Sequence, residues 1–207
     1  DRNNNELVGT WGNLAYRMLS FAQRNFGGVV PRPGELAAED QEILAASEAA
    51  FEEIGGLIEA CRFRNAVGRA MALAREANRY LDAAAPWKRL KSDRQRSATT
   101  TYVTLRVVDS LKMLFAPFLP FSSQLLHEAL GYQSSLIGEQ RVEQIQENAH
   151  HHTVLTYQRE LVGDLWRPSQ LEPGQALGEV KPLFKKLDES IVAEERSRLG
   201  VDDANHR

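Results

Sequence analysis

Apolar residues recur at helical spacing through most of the first 130 positions, and glycine and proline mark the breaks between stripes. Leu7, Trp11, Leu14, Met18, Phe21 and Ala22 fall on one stripe, which predicts a helix over residues 6–26 that Gly27-Gly28 ends. A loop carrying Pro31, Pro33 and Gly34 leads to a second helix over residues 38–60, built on Ile43, Leu44, Ala50, Ile54, Leu57 and Ile58 and weakened late by Gly55-Gly56. The third spans residues 62–82, with Phe63, Ala66, Val67, Ala70, Leu73, Ala74, Ala77 and Leu81 on its apolar face, and Pro86 stops it. The fourth covers residues 94–115, with Val103, Val107, Leu111 and Leu114 as core candidates. Pro117 and Pro120 interrupt the chain before a shorter helix over residues 121–130. Amphipathic helices joined by short turns predict an all-α fold, an antiparallel helical bundle.

The pattern changes after Gly131-Tyr132. Residues 133–180 hold no long helical stripe, and residues 153–157 suit a short extended segment. A last amphipathic helix is predicted over residues 183–199, with a frayed end after it. The chain thus divides into a bundle over residues 1–132 and an irregular tail with a C-terminal helix over residues 133–207.

Composition agrees with helix: Ala, Leu, Glu and Arg are plentiful and strand formers sparse. The 207 residues suffice for one sizeable domain plus an appendage. No apolar run approaches the roughly 20 residues of a membrane span. The first six residues are polar and lack an initiator Met, so no signal peptide is expected and the chain reads as starting inside a longer protein. Cys61 is the single cysteine, which rules out an internal disulfide or a Cys-x-x-Cys zinc site and suits a reducing, cytoplasmic setting. The net charge is −3, so any nucleic-acid role must rest on a local surface and on contacts to bases, not on general neutralisation of phosphates.

No phosphate-binding glycine loop, dinucleotide-binding turn or nucleophile elbow is present, so no catalytic residue is assigned. His150-His151-His152 invites a metal reading, but neighbours in sequence do not share a helix face and no acidic or cysteine partner lies at motif spacing. A polar loop is expected there, and no metal site. In the first helix Asn13 and Arg17 are one turn apart on a flank away from the apolar stripe, with Arg24 on nearly the same side. An amide and a guanidinium fork can read the edges of unstacked bases; a plain solvated face would look the same. Trp87, just after the helix-ending Pro86, sits at a corner where its indole can stack on a base with Lys88 and Arg89 near phosphates, or simply cap the bundle end.

The run Gly12-Asn13-Leu14-Ala15-Tyr16-Arg17 resembles the opening of the methionyl-tRNA synthetase anticodon domain, whose first long helix carries an Asn-Leu-x-x-Arg pattern. Ala77-Asn78-Arg79-Tyr80-Leu81-Asp82 followed by Ala85-Pro86-Trp87 resembles the family's second signature, and Leu119-Pro120 fits its next helix. Trp166, the Pro173-Gly174 turn and Pro182-Leu183-Phe184-Lys185-Lys186-Leu187-Asp188 resemble its C-terminal tail.

The resemblance implies an anticodon-binding domain of a class I enzyme that joins methionine to tRNA with ATP. It places Asn13 and Arg17 on bases of a CAU anticodon and Trp87 in a stack with one of them. Arg24, Lys88 and Arg89 become candidates for phosphate contacts. The implied partners are methionine-accepting tRNA and the enzyme's own catalytic domain, towards which the tail returns, with Leu183, Phe184 and Leu187 as anchors. ATP belongs to that catalytic domain, whose signatures and zinc knuckle these residues lack, so no cofactor is expected in this chain. Gly9 stands one turn before Asn13, where some family members carry another Asn, and offers a base no side chain there. The alternatives are the anticodon domain of another class I synthetase and a helical protein-interaction module without RNA binding.

Overall fold

The helix at the centre of the fold has only a weakly amphipathic sequence. The computed structural model describes residues 3–148, 150–158, 166–188 and 190–201. A π-wound segment, Asn3–Gly12, runs into α1 (Asn13–Asn25); α2 (Ala38–Glu59), α3 (Phe63–Ala84), the single turn α4 (Pro86–Arg89), α5 (Arg94–Phe115) and α6 (Pro120–Ala129) follow. α5 packs against α1, α2, α3, α4 and α6. It is buried on nearly every side, although Ser97, Thr99, Thr100, Thr101, Thr104 and Ser110 are among its buried residues. Small hydroxylated residues are tolerated there because several bond back to their own helix. Thr99 donates to Gln95 O at 2.9 Å, Thr101 to Ser97 O at 2.7 Å and Thr104 to Thr100 O at 2.8 Å. Val103, Val107, Leu111 and Leu114 are fully buried, with Trp11 against Phe115 at 5.1 Å between ring centroids.

The bundle is antiparallel, as the stripes predict, with differences in detail. The stretch before Asn13 is wound wider than an α-helix, and Gly9 and Gly12 lie within it. A Cβ at residue 12 would stand 2.9 Å from the Phe184 ring, so glycine there lets the tail lie directly on the backbone. Gly55 lies within α2, as expected, and admits Trp166, whose Nε1–H donates to Phe51 O at 3.3 Å. Phe63, predicted for the apolar face of α3, is half exposed.

Two acidic side chains depart from the expected solvated faces. Asp40 is fully buried at the start of α2, where it accepts from Ala37 N–H at 2.9 Å, from Tyr80 Oη at 2.5 Å and from both terminal nitrogens of Arg96. Burial alone would raise its carboxyl pKa; these bonds outweigh burial and hold it below the usual carboxylate value. Asp109, on α5, is the hub of a second cluster. It accepts from Lys112 Nζ at 2.5 Å, Tyr132 Oη at 2.8 Å and Ser169 Oγ at 2.6 Å. Lys112 Nζ also lies 2.9 Å from His127 Nδ1, and the His127 ring stacks on Tyr132 at 4.4 Å.

Residues 166–188 form a strap across the bundle. Trp166 packs edge-on to Phe51, Ser169 reaches Asp109, and Val30 N–H donates to Gln175 O at 2.9 Å. Further on, the Asn4 side chain brackets Leu187, donating to its carbonyl at 2.8 Å and accepting from its N–H at 2.9 Å. Gly131 ends α6 at φ +90, and a Cβ there would fall 1.8 Å from Ala176 O of the strap. Gly131→Ala is therefore expected to push the strap off this end and cost about 1–3 kcal/mol, seen as a lower Tm. An unchanged Tm would mean that the strap contributes little here.

Three expectations for the tail are corrected. Where only a short extended segment was predicted, β1 (Glu139–Glu147) and β2 (His150–Gln158) pair as an antiparallel hairpin with Val142 opposite Leu155. The His150–His152 run lies on β2, not in a loop; His150 and His152 share a face, and His152 Nε2 is 3.8 Å from Glu147. Among the described residues no three His, Cys, Asp or Glu side chains group as metal ligands would. The last helix, α7, is Ser190–Val201, so Leu183, Phe184 and Leu187 precede it. The seating of Phe184 and Leu187 on the N-terminal segment accompanies this non-helical stretch. The predicted frayed end after residue 201 lies outside the described residues. Among those described, no helix is long and apolar enough to cross a membrane.

Candidate nucleic-acid interface

α1 is pinned by its buried residues Leu14, Ala15, Met18, Leu19 and Ala22, which leaves Asn13, Tyr16 and Arg17 on its outer flank. α3 ends in Ala85 at φ +40, a left-handed conformation that turns the chain so that Pro86 can open α4. Ser97 Oγ donates to Pro86 O at 2.9 Å and fixes that turn to α5. Trp87 therefore projects from an anchored corner with 40% of its surface exposed.

Arg17 closes the gap between the two elements. Its guanidinium carbon lies 5.0 Å from the centroid of the Trp87 ring, and its Nη2 is 3.3 Å from Asp82 Oδ1 on α3. One carboxylate and one indole thus orient a guanidinium that is still a third exposed. Tyr16, Arg17, Phe21, Arg24, Asn25 and Trp87 line a shallow cleft of about 250 Å³. Asn13 opens instead on a neighbouring groove, formed with Gly9, Gly12, Pro182 and Phe184, and Tyr16 borders both.

Of the residues singled out from sequence, Arg17, Arg24 and Trp87 come together in one cleft, and Asn13 sits one turn away. Lys88 is exposed on α4. Arg89 faces a different cleft, between α2 and α3. Two participants were missed. Tyr16 falls inside the Gly12–Arg17 run and lies next to Arg17; its place off the apolar stripe was the available signal. Asp82 closes the Asn78–Asp82 run, but nothing local in sequence pairs it with Arg17. The cleft offers stacking surface and fork donors without a dense field of positive charge, the chemistry of single-stranded base recognition.

Comparison with known proteins agrees. A family model described as the anticodon binding domain of methionyl tRNA ligase matches residues 30–158, which includes Trp87 and begins after α1. The methionine–tRNA ligase of Roseiflexus sp. (strain RS-1) is 50% identical over 199 residues, covering 96% of this chain and 33% of that protein. That of Thermomicrobium roseum is 47% identical over 200 residues, covering 96% and 34%. Among solved structures, Mycobacterium tuberculosis methionyl-tRNA synthetase bound by methionyl-adenylate superposes with a TM-score of 0.69 at 30% identity, over 89% of this chain and 32% of that one. The chain spans about a third of the length of the curated relatives it matches. With the model covering more than half of its residues, the chain belongs to the family of methionyl-tRNA ligase anticodon-binding domains.

Proposed function

We propose that this chain reads the CAU anticodon of methionine-accepting tRNA as part of a methionine–tRNA ligase. Arg17 and Asn13 would meet base edges, Trp87 would stack on one base, and Arg24, Lys88 and Arg89 would lie near phosphates. The observation that carries the reading is the guanidinium of Arg17 held over the exposed ring of Trp87. A stacked, donor-rich pair at the mouth of a cleft suits a splayed loop, and it accommodates a net charge of −3 because edges and stacking do the recognition. Ligation, with its ATP and methionine, belongs in this proposal to the remaining two thirds of such a protein, in a cytoplasmic setting. Residues 133–207 would form the tail that returns towards that catalytic part. The seating of residues 166–188 along the bundle supports this role.

The test is binding of the chain to an anticodon stem-loop bearing CAU, beside one changed only in those three bases, at fixed moderate salt. A preference for CAU worth about 1–3 kcal/mol per base is expected, reported by tryptophan fluorescence. Equal affinity for both loops would count against base reading, and absence of binding would favour a protein-interaction module.

A further inference from the structure

A second cleft, of about 660 Å³, lies between α2 and α3. We propose that it takes a nucleobase adjacent to the anticodon triplet, with Arg79 and Arg89 on the flanking phosphates; this rests on the anticodon-loop reading above. Continuity comes first. α4 is a single turn, yet Trp87 from it lines the α1 cleft and Arg89 lines this one. The end of α3 is shared in the same way: Asp82 holds Arg17 on one side, and Arg79 faces the other. A strand of loop that leaves Trp87 and crosses the end of α3 thus meets the second cleft next.

The charges select a base over a bare anion. Arg79 and Arg89 are exposed and have no ion-pair partner among the described residues, which leaves both forks free for phosphate. The lining also holds Arg96, but its guanidinium is already bonded to Asp40 and Glu39; Glu42 and Glu76 in the same lining would repel a bare anion but accept hydrogen bonds from a base's amino groups. The lining includes Ile43 and Tyr80, residues that can offer a base an apolar and aromatic surface. Tyr80 is already fixed, since its hydroxyl donates to Asp40, which Arg96 and Ala37 N–H also hold. Little ordering is left for binding to impose.

The test uses the 207-residue chain and the CAU stem-loop, intact or made abasic at the nucleotide just 5′ or just 3′ of the triplet. One of the two abasic loops is expected to bind about tenfold more weakly, the size of one stacked base. The Arg79→Ala variant should bind the intact loop about tenfold more weakly, keep its preference for CAU and no longer distinguish the abasic loop. Arg79 is exposed, and an Arg79→Gln variant guards against a folding effect. If neither abasic loop weakens binding, or if the variant still senses the missing base, the proposal is overturned while the anticodon reading stands. If the wild-type chain shows no preference for CAU, both fall together.

Discussion

Trp87→Ala is expected to weaken binding of the CAU stem-loop by about 10- to 100-fold and to remove most of the preference for that triplet. The loss has two sources. A base loses its stacking partner, and Arg17 loses the ring that lies 5.0 Å from its guanidinium. Arg17→Ala removes the other half of the same unit, so the two changes should not add. The double variant is expected to bind only slightly more weakly than the poorer single one, with a coupling of about 1–3 kcal/mol. Arg17→Lys keeps the charge but not the planar fork, and should fall close to Arg17→Ala. Trp87→Phe should recover part of the affinity. Neither side chain is in the core, so thermal unfolding should shift little and separate lost recognition from lost fold. Additive losses with triplet preference intact would mean that the surface supplies only charge.

The two halves of that unit illustrate what a sequence can and cannot reveal. Helical spacing puts Asn13 and Arg17 on one flank of α1, and Pro86 puts Trp87 at a corner. Each statement is local. Their meeting depends on how α1 and α3 pack and on the left-handed Ala85, and no periodicity encodes that. α2 and α3 were legible within two residues at each end and α5 at both ends, because apolar stripes stop at punctuating residues. The central place of α5 was hidden, since threonine and serine read as polar until their hydroxyls are seen bonded to their own helix. β1 was hidden for a different reason. Its sequence Glu139–Glu147 has only Val142 and Ile145 as strand formers, and its order comes from pairing with β2. Segment 182–188 is apolar enough to look helical, but it packs as a non-helical strap in which Asn4 supplies Leu187 with backbone-like hydrogen bonds.

The buried cluster around Asp109 carries the largest expected effect on stability. Asp109→Ala should cost about 3–5 kcal/mol in denaturant unfolding, a large share of the 5–15 kcal/mol typical of a domain. The change leaves the ammonium of Lys112, only 2% exposed, without its carboxylate, and Tyr132 and Ser169 lose their acceptor as well. Burial already lowers the pKa of Lys112, and Asp109 opposes that shift. A compensating pair, Asp109→Leu with Lys112→Met, should restore much of the loss by removing both charges. His127 adds a pH arm. Burial, and then the neighbouring Lys112 charge, lower its pKa to about 4 from 6.5, because Nδ1 faces the ammonium and must stay unprotonated to accept from it. The unfolded chain takes up this proton near pH 6.5 and the folded chain only near 4, so the unfolded state binds more protons in between. Stability is therefore full above pH 6.5 and falls on acidification towards 4, by on the order of 3 kcal/mol from this group. Asp40 acts below that window, since its folded pKa lies under the ordinary carboxylate value of 3.8. His127→Gln should flatten the decline between pH 6.5 and 4 and leave the loss at lower pH in place. An equally steep decline in that variant would assign the acid sensitivity elsewhere, and an Asp109→Ala cost under about 1 kcal/mol, no more than a surface pair is worth, would mean that water reaches Lys112 and the cluster does not hold the strap.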